Sequence, residues 1–232
     1  LKKRPETPDP KNIELLFTTG ETQILLGRYP EADVYFERAI QIAPDVQTSY
    51  VAKARSALLA GDADRALAIL AGTPGSPAPE FAAARWSFAF QSRRYEIALE
   101  AAALLPDLRE SQFGLLSRAL AEAQVYVAMD RPDRARAAFE KARTQIAAYA
   151  ERDPQDANVH SALAVAYAGL GRREEAVREG LRSLELFPAN KDKWIYQHRL
   201  FALMCVFIAV GDPEAAIDRL EELVAASREE VS

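Results

Sequence analysis

One small residue recurs along this chain at a spacing that few folds can use. Ala32, Ala66, Ala98, Ala135, Ala176 and Ala216 are separated by 34, 32, 37, 41 and 40 residues. Five residues before each stands a glycine or a polar residue: Gly27, Gly61, Arg93, Asp130, Gly171 and Gly211. Self-similarity at a period of roughly 20 to 50 residues marks repeat architectures, whose units cannot bury their apolar faces alone and must stack on neighbours. A methyl side chain explains the choice of alanine, because it lets two helices approach at the close end of the usual ~8 to 10 Å separation.

The clearest copy runs from His160 to Pro188. Leu163, Ala164 and Tyr167 fall on one side of a first helix, Gly171 opens a turn, Ala176 and Ser183 fall on one side of a second, and Pro188 ends it. Read with that ruler, residues 12–230 form six helical hairpins at about 12–44, 46–72, 79–105, 110–151, 156–188 and 194–228. Pro30, Pro132 and Pro213 sit in the first turns of second helices, where a missing backbone N–H costs little. The run Gly72 to Pro79 ends the second hairpin with three prolines and two glycines. Trp86 occupies a place where Gly20, Ala54, Ala123 and Ala164 stand in other copies, so the third hairpin must open locally or shift by one residue. The fourth has long helices, about Glu110 to Met129 and Pro132 to Glu151. An insertion from Ala189 to Tyr196 delays the sixth, whose first helix then runs from Leu200 to Val210. Residues 1–11, with Lys2, Lys3 and Arg4 beside prolines, read as a solvated linker of a piece cut from a longer protein.

Composition narrows the function classes. At 49 % hydrophobic and 27 % charged residues, the chain can bury a substantial core. No apolar run approaches the roughly 20 residues that cross a bilayer; the longest, Leu200 to Val210, suits a buried helix. Cys205 lies within that run, excludes an internal disulfide, and is expected in the core. A net charge of −5, and acids interleaved with Arg131, Arg134, Arg136, Lys141, Arg143, Arg172, Arg173, Arg178 and Arg182, argue for a solvated face and against nucleic acid as a partner. Glu175, Glu179, Arg178 and Arg182 belong to the same face. His160 and His198 lack the context of metal ligands. Glycine-rich phosphate loops and nucleophile elbows are missing, so the sequence assigns no catalytic residue, no cofactor and no metal.

The pattern Leu163, Ala164, Tyr167, Gly171, Ala176, Ser183, Pro188, repeated as Leu16, Gly20, Gly27, Ala32, Phe36, Ala39, Pro44, resembles the tetratricopeptide repeat. That resemblance implies an all-α, right-handed α-solenoid whose first helices line a concave groove for a partner's peptide or helix. The groove positions it implies include Phe17 and Glu21; Val51, Arg55 and Leu58; Ser87 and Phe90; Gln124 and Val127; and, in the last hairpin, Phe201, Cys205 and Ile208. The family's chaperone-binding members clamp a C-terminal carboxylate with Lys and Asn; with Arg55 alone, this chain does not resemble that subtype. From about Asp153 to Leu223 the sequence also resembles the C-terminal repeat arms of bacterial multidomain regulators, which carry a kinase, cyclase or winged-helix module upstream. The implied function is a non-enzymatic scaffold that docks a protein or peptide, or an upstream module of the same chain. A self-associating assembly arm, hence a homo-oligomer, and a ligand-sensing lobe of a signalling enzyme are the alternatives. The sequence does not fix the compartment; a cytoplasmic site is favoured, with an extracytoplasmic one as the alternative.

Overall fold

The computed structural model describes residues 12–75, 78–111 and 114–228; the expected linker, 1–11, lies outside them. Among the described residues, twelve helices and one two-stranded ribbon divide between two compact units, split after Leu104. The first unit stacks three hairpins: α1 (Ile13–Leu25) with α2 (Tyr29–Ile42), α3 (Gln47–Leu59) with α4 (Ala63–Ala71), and α5 (Pro79–Gln91) with α6 (Tyr95–Ala103). The second opens with the ribbon β1 (Arg109–Ser111) and β2 (Gly114–Leu116). It continues with α7 (Arg118–Ala128) and α8 (Pro132–Ala150), α9 (Ala157–Gly169) and α10 (Arg173–Leu186), and α11 (Lys193–Ala209) and α12 (Pro213–Arg228). Both units are stacks of helical hairpins of the all-α solenoid class.

Local chemistry sets the helix ends. Asn12, Asp62, Ser117, Asp156 and Asp192 each accept a backbone N–H of the first turn of the helix they open, satisfying donors that the helix itself cannot. Proline begins α5, α8 and α12 and is the second residue of α2. Between the two helices of every hairpin the chain turns through one left-handed residue. These are Gly27, Gly61, Arg93, Asp130, Gly171 and Gly211, with φ between 55° and 89°. In each turn the N–H of the following residue reaches back to the preceding helix, as from Arg172 to the Tyr167 carbonyl at 2.9 Å.

The six alanines lie where the helices of each hairpin cross, and all are between 0 and 6 % exposed. Gly20 serves the same purpose in the first hairpin, since a Cβ there would come within 2.6 Å of the fully buried Phe36 ring. In the third hairpin Ala82 and Ala89 are fully buried, and Trp86 lies half-buried beside them, stacked on Phe90 at 5.4 Å. The bulky residue is thus accommodated by turning it along its own helix.

Two boundaries and one side chain differ from the expectation. Glu110 does not begin a helix: residues 109–111 and 114–116 pair as an antiparallel ribbon, Glu110 opposite Leu115, and α7 starts at Arg118. Leu108 and Leu115 pack on the core formed by Phe139, Ile146, Val159 and Leu163, which is why this stretch leaves the helical pattern. The insertion expected before the sixth hairpin is largely helix, because Asp192 caps α11 at Lys193 and the helix runs on for 17 residues. Glu179 is not on a solvated face; its side chain is 14 % exposed and pairs with His160 Nδ1 at 2.7 Å.

Candidate functional site: a groove on the first helices

In the first unit, the first helices of three successive hairpins line an open cavity of about 340 Å³. Phe17 and Glu21 come from α1, Gln47, Thr48, Val51, Ala52 and Arg55 from α3, and Ala78, Glu80 and Phe81 from the start of α5. Four of the groove residues expected from the sequence, Phe17, Glu21, Val51 and Arg55, are therefore brought together in one place. A spacing of four residues puts Phe17 and Glu21, and likewise Val51 and Arg55, one above the other on their helices.

Phe17 forms one apolar wall and is held edge-on by Phe36, with ring centroids 6.0 Å apart. Phe81 forms another and is anchored in the core. The polar end is an ion pair in which Arg55 donates to Glu21 Oε2. Both side chains are partly covered, and Glu21 Oε1 and Arg55 Nε are buried without hydrogen-bond partners. Gln47 fixes the adjoining loop: its Nε2 donates to the Pro74 carbonyl at 3.3 Å, and its Oε1 accepts the Ala78 N–H at 3.2 Å.

The remaining expected groove residues do not line this cavity. Leu58 and Ser87 are half-buried; Ser87 Oγ accepts from Gln91 Nε2 at 2.8 Å. Phe90 is packed between Trp86 and Tyr95, 6.1 Å from the latter. Gln124 and Val127 lie on α7 of the second unit, the former half-buried and the latter exposed. Cys205, expected in the core, is exposed. It stands on α11 in register with the exposed Trp194, Phe201 and Ile208, because the apolar run continues round both sides of the helix. Partial burial nonetheless pushes its thiol pKa up, away from the reactive thiolate. Gln47, Thr48, Ala78, Glu80 and Phe81 were missed by the spacing rule, which samples mid-helix positions and not the helix starts one turn earlier. The Pro-rich loop before Pro79, which brings α5 against α3, is the signal that could have found them.

The second unit holds a different feature. Arg199 is 8 % exposed; it donates to Asn158 Oδ1 at 2.7 Å and Ser183 Oγ at 3.2 Å and lies over the Phe187 ring. Burial lowers its pKa below the usual guanidinium value. His160 Nε2 donates to the Pro154 carbonyl at 3.1 Å, and His198 Nδ1 donates to the Trp194 carbonyl at 2.8 Å. Among the described residues no cluster of three or more metal-ligating side chains occurs, and no helix is long and apolar enough to cross a membrane.

Comparison with known proteins supplies the family. Tetratricopeptide-repeat profiles match residues 13–46, 47–71 and 115–189, together more than half of the chain. No curated protein sequence matched. Among solved structures, the Cut9–Hcn1 hetero-tetramer of the APC/C is similar over 95 % of this chain, at 18 % identity and a TM-score of 0.53. This chain spans 41 % of that one's length. A tetratricopeptide repeat protein from Parabacteroides merdae matches over 92 % of this chain and 79 % of its own, at 14 % identity and a TM-score of 0.50. At these identities the likeness is one of fold. With hairpins, turns and crossings all in the repeat's register, the chain belongs to the tetratricopeptide-repeat proteins.

Proposed function

We propose that this protein is a non-enzymatic docking module that holds a peptide segment of a partner protein in the groove of its first unit. Tetratricopeptide repeats are in general protein-interaction scaffolds. The observation that carries the reading here is the cavity of about 340 Å³ walled by Phe17, Val51, Ala52 and Phe81 on consecutive first helices. A concave, mostly apolar site with one polar pair fits a side chain inserted from an extended or helical peptide. The resemblance of residues from Asp153 onward to the arms of bacterial regulators supports a place in a larger regulatory protein, with an upstream module of the same chain as one source of the docked segment.

Selection of peptides from a displayed random library tests this. Binders chosen on the native protein should be lost by Val51→Asp and kept by Val34→Asp, which alters an exposed residue of α2 outside the cavity. Binders indifferent to Val51→Asp, with the variant still folded, would move the docking surface elsewhere.

A second reading, self-association, rests on the exposed apolar residues of the last hairpin, Phe201 and Ile208 on α11 and Ile217, Leu220 and Val224 on α12. Sedimentation equilibrium at increasing concentration, repeated with Phe201→Ser and Leu220→Ser, decides it: a mass that stays monomeric in the native protein ends this reading.

A further inference from the structure

The groove of the first unit contains the makings of a carboxylate site, yet its charges are arranged against one. Arg55 is the one cation among the residues lining the cavity, and its Nη2 already donates to Glu21 Oε2 across the α1–α3 contact, offsetting its charge. The second carboxylate oxygen of Glu21 and the Nε of Arg55 are covered, so neither is open to a ligand. Glu80, at the rim, adds a further acid to the same lining. A carboxylate brought into the groove would lose part of its water beside two acids, with the Arg55 charge already offset by Glu21, and covering a charge without a full counter-charge is costly. The apolar walls face no such obstacle. The volume stands at the low end of the ~300 to 1,000 Å³ typical of ligand pockets, room for one large side chain and its flanking backbone.

We infer that Glu21 is the specificity-determining residue of the groove: by holding Arg55 it makes the cavity select an uncharged apolar residue, aromatic or leucine-sized, from the interior of a partner peptide in preference to an acidic residue or a free C-terminus. The inference rests on the docking reading given above, and it adds what that reading leaves open, the chemistry of the anchor. It also assigns the ion pair a purpose beyond joining two hairpins. Removing the carboxylate while keeping its shape should convert the groove into an acceptor of carboxylates, because the Arg55 guanidinium is then free to take one.

Two probes that differ only in charge test this. N-acetyl-phenylalaninamide is neutral and N-acetyl-phenylalanine carries a carboxylate; each is titrated into the ¹⁵N-labelled full chain while the amide resonances of Val51, Ala52 and Phe81 are followed. In the native protein the neutral probe should bind at least threefold more tightly. In Glu21→Gln the order should reverse, and in the double variant Glu21→Gln with Arg55→Gln the neutral preference should return. Thermal melting of each variant shows that it remains folded. If neither probe disturbs the cavity in the native protein, the docking reading itself fails. If both bind there and Glu21→Gln leaves their order unchanged, the groove stands and the role given to Glu21 is overturned.

Discussion

Arg93 and Asp130 do the work of glycines. Their φ values of 58° and 55° lie in the left-handed region that the other four hairpin turns fill with glycine. A side chain there is disfavoured by ~1 to 2 kcal/mol, partly offset because glycine loses more entropy on folding. We therefore expect Asp130→Gly to raise stability by up to ~1 kcal/mol, and Gly171→Ala, where a Cβ meets nothing within 4 Å, to lower it by ~1 kcal/mol through backbone strain alone. Urea midpoints of the two variants check both signs. Ala176, fully buried at a helix crossing, should tolerate Phe badly, at a cost of ~1 to 3 kcal/mol from overpacking; an unchanged melting temperature would contradict the packing. These positions were legible in the sequence because their cause is local: a turn that needs positive φ, and a crossing that needs a methyl group. Cys205 was not. An apolar run of eleven residues, Leu200 to Val210, covers three turns of helix, and only the neighbouring helices decide which side of it faces water.

Pairs of helices are joined by polar contacts that no periodicity announces. The Tyr196 hydroxyl on α11 donates to Glu222 Oε1 on α12 at 2.7 Å. Burial, with this hydrogen bond second, pushes its pKa from the ordinary 10 up to about 12. A folded-state value raised above the unfolded one favours the protonated phenol. The stabilisation is therefore complete below pH 10 and is lost as the pH rises through about 12. Tyr196→Phe should be less stable at neutral pH, and its urea midpoint should fall less steeply between pH 10 and 12 than that of the native protein. Arg199 is a second tie, linking α11 to Asn158 of α9 and Ser183 of α10. Truncation to Ala should cost ~2 to 4 kcal/mol because it removes the packing over the Phe187 ring together with both hydrogen bonds, whereas Arg199→Met, which loses the same bonds but keeps the packing, should cost less. Calorimetric melting of the two variants side by side separates the cases. Arg199 stands just before the apolar run of α11, and no spacing in the sequence singles it out as a buried tie.

On the scale of the whole chain, contacts divide the protein at Leu104, and each half contains three hairpins with a core of its own. Stacks of repeats draw their stability from nearest neighbours, so a fragment of residues 12–104 should keep its helical circular dichroism and a cooperative melt. A fragment that is unfolded on its own would show that the first unit depends on the second. Part of the groove was legible: Phe17, Glu21, Val51 and Arg55 follow from the repeat's spacing, Gln47, Thr48 and Ala52 lie beside them on α3, and Phe81, Ala78 and Glu80 enter only through a loop whose path no spacing dictates. The third and sixth hairpins, outside the profile matches, are also those where Trp86 and the long α11 depart from the pattern.

The ribbon at residues 109–116 bears on how freely such a protein could be rebuilt. Leu108 and Leu115 lean on side chains contributed by α8 and α9, including Phe139 and Leu163. An idealised repeat grafted in place of this hairpin would strip that covering away and leave a greasy scar on the following pair. Modules in this chain are thus interchangeable in outline but not in practice, and recombination between copies meets its firmest obstacle where two short strands abandon the helical rule.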